Sequence, residues 1–264
     1  MGYRYKGKIE LIMENKKRQE TDYRNSRNHK ENLSASVLLT FTPKIEYLIY
    51  MLQKGIEPRY VYERLPGSKK YYIAPMKCFC DIPLGKVKNH MERYGYYGIG
   101  LKKSFLLEHR VTPVIYIHRN SKSFFGYREM KNLKFEDAPF LPLLKRYYGD
   151  DYYFKDGHDT PVRKRIHFYN EREWRFIPSS FKLNSIQKID TIQEGVKLVT
   201  ELNLKNPYQD EAIIPSSEEI EYIIIRKKKE LDDFIDQLRK VYHGGEFQRI
   251  LTKIIIADQI LKDF

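Results

Sequence analysis

Acidic and basic side chains alternate along one short stretch, Glu171-Arg-Glu-Trp-Arg175. In an extended strand the two glutamates and Arg175 share one face, opposite Trp174. A carboxylate on a strand can stabilise positive charge on a substrate, and an arginine can bind phosphate through paired hydrogen bonds. The simpler interpretation is an exposed ion pair between Glu173 and Arg175, with Trp174 packed in the core. Either interpretation puts Glu173 opposite Trp174.

A second stretch, Pro75–Leu84, predicts a buried strand, a sharp turn and then a helix. Beyond it, Gly98 and Gly100 alternate with apolar residues, so one face of that strand carries no side chains. Such a face lets a ligand or another backbone approach closely. We expect this strand and Phe79 to form the floor of a pocket. Asp81 either belongs to that pocket or only caps the turn.

The chain has two cysteines, Cys78 and Cys80. At this spacing they do not pair readily, and with His90 they leave a structural zinc site one ligand short. We expect no metal, two reduced thiols and a surface position for His90. No signal peptide is evident and no apolar run approaches the ~20 residues of a membrane helix. A cytoplasmic location without a membrane partner is therefore expected.

The formal net charge is +13, and the 264 residues include 22 tyrosines and 14 phenylalanines. Basic residues next to aromatic ones are typical of surfaces that bind single-stranded nucleic acid, on which bases stack. The segment Lys145–Arg165 has this composition. Its candidate nucleic-acid-binding residues are Lys145, Arg146, Tyr147, Tyr148, Tyr152, Tyr153, Arg163, Lys164 and Arg165. The charge can instead serve solubility alone, and the tyrosines can cover an edge of the core.

The elements that position these residues indicate a single α+β domain with mixed or antiparallel sheets flanked by helices. Residues 1–33 are predicted to be a basic N-terminal arm, 34–264 the domain, and 119–165 a loop-rich insertion. A strand over Ser36–Thr42 leads into a helix capped by Thr42 and ended by Gly55. Further helices and strands are predicted from apolar spacing. The helices cover about Gly85–Tyr94, Ser185–Leu202 and Glu230–Tyr242, and the strands cover Val111–His118, Ile220–Ile225 and Leu251–Ile256.

Several of these motifs together resemble the AbiGi abortive-infection family of bacterial anti-phage systems, whose members are labelled antitoxins. They are Ser36-Val-Leu-Leu-Thr-Phe-Thr42 with Gly55, Pro75–Leu84, Tyr94-Gly-Tyr-Tyr-Gly-Ile-Gly100, Pro113-Val-Ile-Tyr116 and Asn170-Glu-Arg-Glu-Trp-Arg175. The resemblance covers roughly Ser34 to the C-terminus.

A more distant resemblance concerns function. A strand ending in Phe-Thr, followed by a helix that closes at a glycine, is similar to the opening of DarT-type ADP-ribosyltransferases. The resemblance implies an ADP-ribosyltransferase-like fold, NAD as cofactor, Thr40 in place of a ribose-binding histidine, and Glu173 as the catalytic glutamate. Thr40 departs from the family pattern, because a hydroxyl does not reproduce an imidazole. The other residues expected to bind NAD are Thr42, Phe79, Asp81, Tyr97, Gly98 and Arg175.

Two hypotheses follow. In the first, the chain is the toxin of a toxin–antitoxin system and transfers ADP-ribose from NAD to single-stranded nucleic acid, RNA being weakly preferred to DNA. In the second, it is a non-catalytic antitoxin or regulator of an abortive-infection system. Either form has a cognate toxin or antitoxin protein as partner. The first hypothesis requires Thr40, Tyr97 and Glu173 to surround one pocket on the same side of the sheet.

Overall fold

The computed structural model describes residues 34–64, 66, 71–118, 120–121, 140–153, 162–182 and 187–263, with backbone alone at 151–153, 162–164, 187–188 and 263. The predicted arm at 1–33 and much of the predicted insertion lie outside the described residues. Residues 36–264 group into one compact unit.

Strands make up most of the regular structure. They are β1 (Val37–Thr42), β2 (Arg59–Arg64), β3 (Tyr71–Cys80), β4 (Tyr97–Lys102), β5 (Thr112–Pro113), β6 (Ile115–Ile117), β7 (Leu144–Arg146), β8 (Tyr148–Tyr153), β9 (Val162–His167), β10 (Glu173–Phe176), β11 (Gln187–Ile189), β12 (Ile220–Ile225) and β13 (Ile254–Ile256). The α-helices are α1 (Ile45–Lys54), α2 (Lys88–Tyr94), α3 (Lys103–Glu108), α4 (Ile192–Leu204), α5 (Leu231–Leu238), α6 (Gly244–Leu251) and α7 (Ala257–Asp263). None of these helices is long and apolar enough to cross a membrane.

One large mixed sheet dominates the fold, in the order β13-β12-β4-β1-β3-β10-β5, with β2 and β11 also paired to β3. The β12–β13 pair is parallel, and the other pairs of this sheet are antiparallel. Two small sheets, β6–β7 and β8–β9, lie apart from it. The predicted α+β class with mixed sheets is therefore confirmed.

Strand β3 is the centre of this arrangement because it pairs with β1, β2, β10 and β11. Its Pro75 lies between Tyr71–Ile73, which pair with β11, and Lys77–Cys80, which pair with β10. Proline has no backbone N–H, so it destabilises a strand least at a position where no neighbouring strand needs that hydrogen-bond donor. Pro113 obeys the same rule at the edge of the sheet, as predicted.

The core lies on both faces of the sheet. On one face Leu38, Phe79 and Ile99 pack with residues of α1 and α5. On the other, Leu39 and Cys80 pack with residues of α2 and α7. Alternate residues of β1 therefore belong to different cores, as the two-residue period of a strand requires.

Several predicted boundaries are wrong, and the reasons are local. Thr42 does not cap α1, because it still pairs with Tyr97 in the sheet; Lys44 occupies the N-cap position without a side-chain hydrogen bond. Gly55 ends α1 as predicted, with φ of 90°. Gly244 begins helix α6, where a helix was predicted to stop.

The predicted helix over Ser185–Leu202 is also corrected. Its first part is strand β11, paired with β3, and α4 begins only at Ile192. Thr191 caps α4 by accepting a hydrogen bond from the Glu194 N–H at 3.2 Å. Ile189, just before this cap, belongs to the strand, which apolar spacing alone does not distinguish from helix over so short a run.

Candidate functional site

Strands β1 and β3 pair at one position and then diverge. The pair is Leu39 with Cys80. Beyond it, β1 continues alongside β4 as far as Thr42, whereas the rest of β3 runs with β2, β10 and β11. Among the described strands, none pairs with Thr40–Thr42 on the side away from β4. Backbone N–H and C=O groups of this edge are available to a ligand, because unpaired backbone groups need partners.

A pocket of about 840 Å³ lies at this split, within the 300–1,000 Å³ usual for small-molecule sites. Both diverging strands line it, together with α1, β2, α2 and β7. Its aromatic residues are Phe41, Tyr47, Tyr50, Phe79, His90 and Tyr94. Its charged residues are Glu46, Glu57, Arg59, Glu63, Lys77, Lys145, Glu171 and Glu173. The pocket therefore offers both flat rings and ionic groups to a ligand.

Thr40 and Glu173 both line this pocket, although their side chains leave the sheet on opposite faces. Glu173 aligns with Cys80, which aligns with Leu39, so these three residues share one face. Thr40, the next residue of β1, is on the other face with Phe79. A flat sheet would keep Thr40 and Glu173 apart, and the split between β1 and β3 opens one pocket to both faces. The expectation that they lie on the same side of the sheet is wrong, and so is the expectation that Tyr97 lines the same pocket; Thr40 and Glu173 alone of the three share it.

Glu173 is buried and held by two cations. Its Oε1 accepts a hydrogen bond from Arg175 Nε at 2.7 Å, and its Oε2 accepts one from Lys145 Nζ. Burial alone would raise the pKa of Glu173, but the neighbouring Arg175 and Lys145 hold that pKa well below its usual range. The carboxylate is therefore ionised, and the predicted exposed pair with Arg175 is a buried one.

Lys145 forms ion pairs with three carboxylates. Its Nζ lies 2.9 Å from Glu171 and 4.0 Å from Glu63, in addition to its bond with Glu173. The three carboxylates raise the pKa of Lys145 well above its usual value despite burial. Lys145 is only 7% exposed, so its expected role as a phosphate contact on an open surface is wrong.

Glu171 is the second ionised carboxylate of the pocket. It accepts hydrogen bonds from Arg93 and, at 3.0 Å, from the Tyr94 hydroxyl. Lys145 and Arg93 lower the pKa of Glu171 against the opposing effect of burial. Because α2 supplies Arg93 and Tyr94, this helix and the Glu171 segment are joined through the carboxylate.

His90 lies in the pocket and not at the helix surface, which corrects the prediction. Its ring centroid is 4.4 Å from that of Tyr94 and 5.6 Å from that of Phe41. Burial lowers the pKa of His90 to about 4, so the imidazole is neutral at pH 7. A neutral imidazole can both donate and accept a hydrogen bond.

The remaining residues expected to bind NAD are divided. Thr42 and Phe79 line the pocket. Asp81 does not; it is buried and accepts a hydrogen bond from Lys103 Nζ at 3.0 Å. Tyr97 packs in the core, where its hydroxyl donates to Glu230 at 2.9 Å. Arg175 is fully buried, bonded to Glu173 and to the Pro142 carbonyl at 2.6 Å, so the expectation that it contacts NAD is wrong.

The glycine-lined floor is likewise wrong. A Cβ on Gly98 would lie 2.9 Å from Phe41, and one on Gly100 would lie 2.9 Å from Leu39 and from Val37. Strand β1 lies between β3 and β4, and its side chains cover the face that lacks them. These glycines therefore permit close packing and are not open to a ligand.

The predicted nucleic-acid segment is only partly described. The rings of Tyr147 and Tyr169 are 5.5 Å apart, those of Tyr148 and His167 are 6.0 Å apart, and Tyr169 is exposed. The side chain of Arg165 is 71% exposed. Arg146 points inward, over the ring of Phe168 and against the Asp150 carbonyl. The side chains of Tyr152, Tyr153, Arg163 and Lys164 lie outside the described residues.

The structure adds residues that sequence reasoning missed. Glu63 and Lys77 line the pocket, and neither was a candidate. Trp174 packs against the core, as predicted. Both cysteines are free, and the described residues contain no cluster of His, Cys, Asp and Glu suited to a metal.

Comparisons with known proteins agree on one family. Residues 68–226 match the family model described as "Putative abortive phage resistance protein AbiGi, antitoxin". A curated relative from Lactococcus lactis subsp. cremoris, named abortive phage resistance protein AbiGi, is 24% identical over 232 residues, which are 74% of this chain and 90% of the relative. No solved structure matches. The family match includes Lys77, Lys145 and Glu173 but begins after Thr40.

Proposed function

The chain belongs to the AbiGi abortive phage resistance family, and from that premise we propose that it acts in anti-phage defence by binding NAD in the central pocket and transferring ADP-ribose to single-stranded nucleic acid. The observation that carries the proposal is the split between β1 and β3, which opens one pocket to Thr40 and to the ionised Glu173.

The pocket fits such a ligand in four respects. Its volume of about 840 Å³ suits a dinucleotide that is partly enclosed. The unpaired backbone edge at Thr40–Thr42 can hold a carboxamide, which needs one donor and one acceptor. The rings of Phe41, Tyr47 and Tyr94 offer stacking surfaces for a base or for nicotinamide. Thr40 can donate a hydrogen bond to a ribose hydroxyl.

NAD, when bound, supplies an ADP-ribosyl group whose bond to nicotinamide breaks while positive charge develops on the ribose. Glu173 is the residue suited to that charge, because its carboxylate stays ionised even though it is buried. Arg175 and Lys145 hold the carboxylate from two directions and so fix its orientation. Glu171 is held separately by Arg93 and Tyr94.

A second candidate function is that of a non-catalytic antitoxin, which would bind a cognate toxin protein. The family description uses that word. One structural observation also favours it: both oxygens of Glu173 already accept hydrogen bonds from cations, so little of its charge is free for a substrate. Under this hypothesis the ion network is structural and the pocket has no catalytic role.

Substitution of Glu173 separates the two candidates. We expect Glu173→Gln to lower ADP-ribose transfer by about 10²–10³-fold, because a neutral amide no longer stabilises the developing charge. Labelled NAD, single-stranded RNA and single-stranded DNA, with the purified chain, measure the transfer. Calorimetric titration with NAD measures binding directly.

Glu63→Gln is the matched control, since Glu63 lines the same pocket and pairs with the same two cations, Arg175 at 3.1 Å and Lys145 at 4.0 Å. It should retain most of the activity. Full transfer by Glu173→Gln refutes the catalytic role, and full transfer by a Glu171/Glu173 double variant refutes the site. Absence of NAD binding and of transfer in the unmodified chain favours the antitoxin, which should then relieve the toxicity of a co-expressed partner.

A further inference from the structure

Three cations line the central pocket, and they differ in their partners. Lys145 is bonded to Glu173 and Glu171 within the ion network. Arg59 lies 3.2 Å from Glu57, with its side chain 49% exposed. Lys77 is the third. Two of the three therefore have their charge balanced by a carboxylate of the protein.

Lys77 has no such carboxylate. Within the described part of the chain, no carboxylate oxygen lies within 4.0 Å of its ammonium, and its one hydrogen-bond acceptor is the Met51 sulfur at 3.6 Å. A thioether is a weak acceptor. Burial is the main cause that lowers the pKa of Lys77 to about 8; Cys78 opposes this shift and the neighbouring Arg59 adds to it. The amine is still largely protonated at pH 7.

An ammonium that is partly removed from water and unpaired is unfavourable, and an anion that reaches it removes this penalty. Arg59 is near it, because the positive charge of Arg59 acts on the Lys77 amine and both side chains line the pocket. The pocket thus has one cationic end, on β2 and β3. Glu57 balances Arg59 at this end. The other carboxylates of the pocket, at Glu46, Glu63, Glu171 and Glu173, disfavour an anion elsewhere.

We propose that Lys77 binds the diphosphate of the nucleotide that occupies the pocket, with Arg59 at the rim beside it. The inference deepens the proposed function and rests on it, since it names the residue that meets the diphosphate. A nucleoside diphosphate carries both groups that the pocket can hold: a base that stacks on the aromatic side chains, and an anion that pairs with the cationic end. Arg175, the residue expected in this role, is fully buried in the ion network.

The first experiment compares ADP with adenosine, because only ADP carries the anion. We expect Lys77→Met to raise the dissociation constant for ADP by roughly 10- to 100-fold, the usual effect of losing a charge-assisted hydrogen bond. Adenosine binding should change little, and Lys77→Arg should retain ADP binding. Lys54→Met removes one exposed positive charge from the end of α1 and is the matched control, so it should leave both affinities unchanged. Equal ADP affinity in Lys77→Met and the unmodified chain overturns the proposal.

A second measurement works even if the chain does not bind NAD. Acetylation of the Lys77 amine by an activated ester is followed by mass spectrometry, with and without inorganic pyrophosphate. We expect pyrophosphate, ADP and NAD each to protect Lys77 and to leave Lys54 reactive. Protection by pyrophosphate without NAD binding supports the anion site and refutes the proposed function. Absence of protection by all three overturns the anion site.

Discussion

At the scale of single residues, pairing decides which groups of the pocket are charged. Glu173 and Glu171 are buried, and each is kept ionised by two cations. His90 is half-buried beside the rings of Phe41 and Tyr94, and its pKa falls to about 4. Removal from water therefore leaves the carboxylates charged and the imidazole neutral, because cations pair directly with the carboxylates, whereas the glutamates near His90 are opposed by Arg93 and Lys145.

His90 predicts a pH dependence of stability between pH 6.5 and about 4. In this window the unfolded chain binds a proton at His90 and the folded chain does not, so the free energy of unfolding falls as the pH is lowered. The loss should be on the order of 2 kcal/mol. Urea denaturation at pH 6.5, 5.5 and 4.5 measures it.

His90→Gln, which cannot titrate, should remove most of this slope. Glu171 and Glu173 should not cause this slope. Their pKa values are lowered in the folded chain, so the stability that they contribute is lost only below their unfolded pKa of about 4.5. An unchanged slope in His90→Gln between pH 6.5 and 4.5 contradicts the prediction.

At the scale of elements, close approach of strands explains both the pocket and the glycines. Strand β4 packs tightly against β1 because Gly98 and Gly100 leave room for Phe41, Leu39 and Val37. On its other side β1 leaves β3 after a single pair. The two sides of β1 therefore serve different purposes, one for packing and one for the pocket.

Gly98→Ala tests the packing side. Its Cβ would lie 2.9 Å from Phe41 Cδ1 and 3.0 Å from the Thr40 carbonyl, so Phe41 must move. We expect a loss of about 1–3 kcal/mol in the free energy of unfolding, as for other overpacked cores. Thermal and urea denaturation measure the loss.

Gly245→Ala is the control for glycine replacement as such. Gly245 is exposed in the first turn of α6, and the nearest atom to a new Cβ is Arg249 Nη1 at 3.8 Å. The variant should be neutral or slightly stabilised, because alanine favours helix. Equal stability of Gly98→Ala and Gly245→Ala would show that β1 and β4 can accommodate an added methyl group without strain.

At the scale of the whole molecule, the net charge of +13 is the main evidence for a polyanionic substrate. Among the described side chains of the predicted docking segment, Arg165 is exposed and Tyr147 and Tyr148 are half-buried, and the exposed Tyr169 lies just beyond the segment against Tyr147. Lys145 no longer belongs to it. Aromatic rings beside a guanidinium at the surface suit a single strand, whose bases are free to stack.

Replacing Arg163, Lys164 and Arg165 with alanine should weaken binding to single-stranded RNA and DNA across sequences. It should also flatten the log–log dependence of affinity on salt by about two units, at about 0.7 for each lost phosphate contact. A fluorescence-anisotropy salt series measures both effects. Alanine at Lys227–Lys229 removes the same charge elsewhere on the surface and should leave the slope nearly unchanged. Equal salt slopes in the unmodified chain and in both triple variants would indicate that the positive charge serves solubility alone.

Tyr147→Ala tests stacking separately from charge. We expect a loss of about 1–3 kcal/mol in binding with an unchanged salt slope, if a base stacks on this ring. The same anisotropy series measures it. No change in affinity would assign the tyrosine rings to packing among themselves.

By itself the sequence determined the local features of this protein. The two-residue period placed Glu173 opposite Trp174, the apolar period identified β12, and Gly55 and Gly95 ended α1 and α2. These features depend on neighbours along the chain, where side-chain spacing and backbone preference act directly.

Only the tertiary structure decided how the pocket is built and charged. The divergence of β1 from β3, the burial of Lys145 against Glu173 and the isolation of Lys77 each depend on segments far apart in the chain. A lysine is a buried ion pair at position 145 and, at position 77, a cation with no carboxylate partner among the described residues. Local sequence does not distinguish them, because the pKa and the partner of a buried charge are set by whichever distant groups the fold brings within a few ångströms.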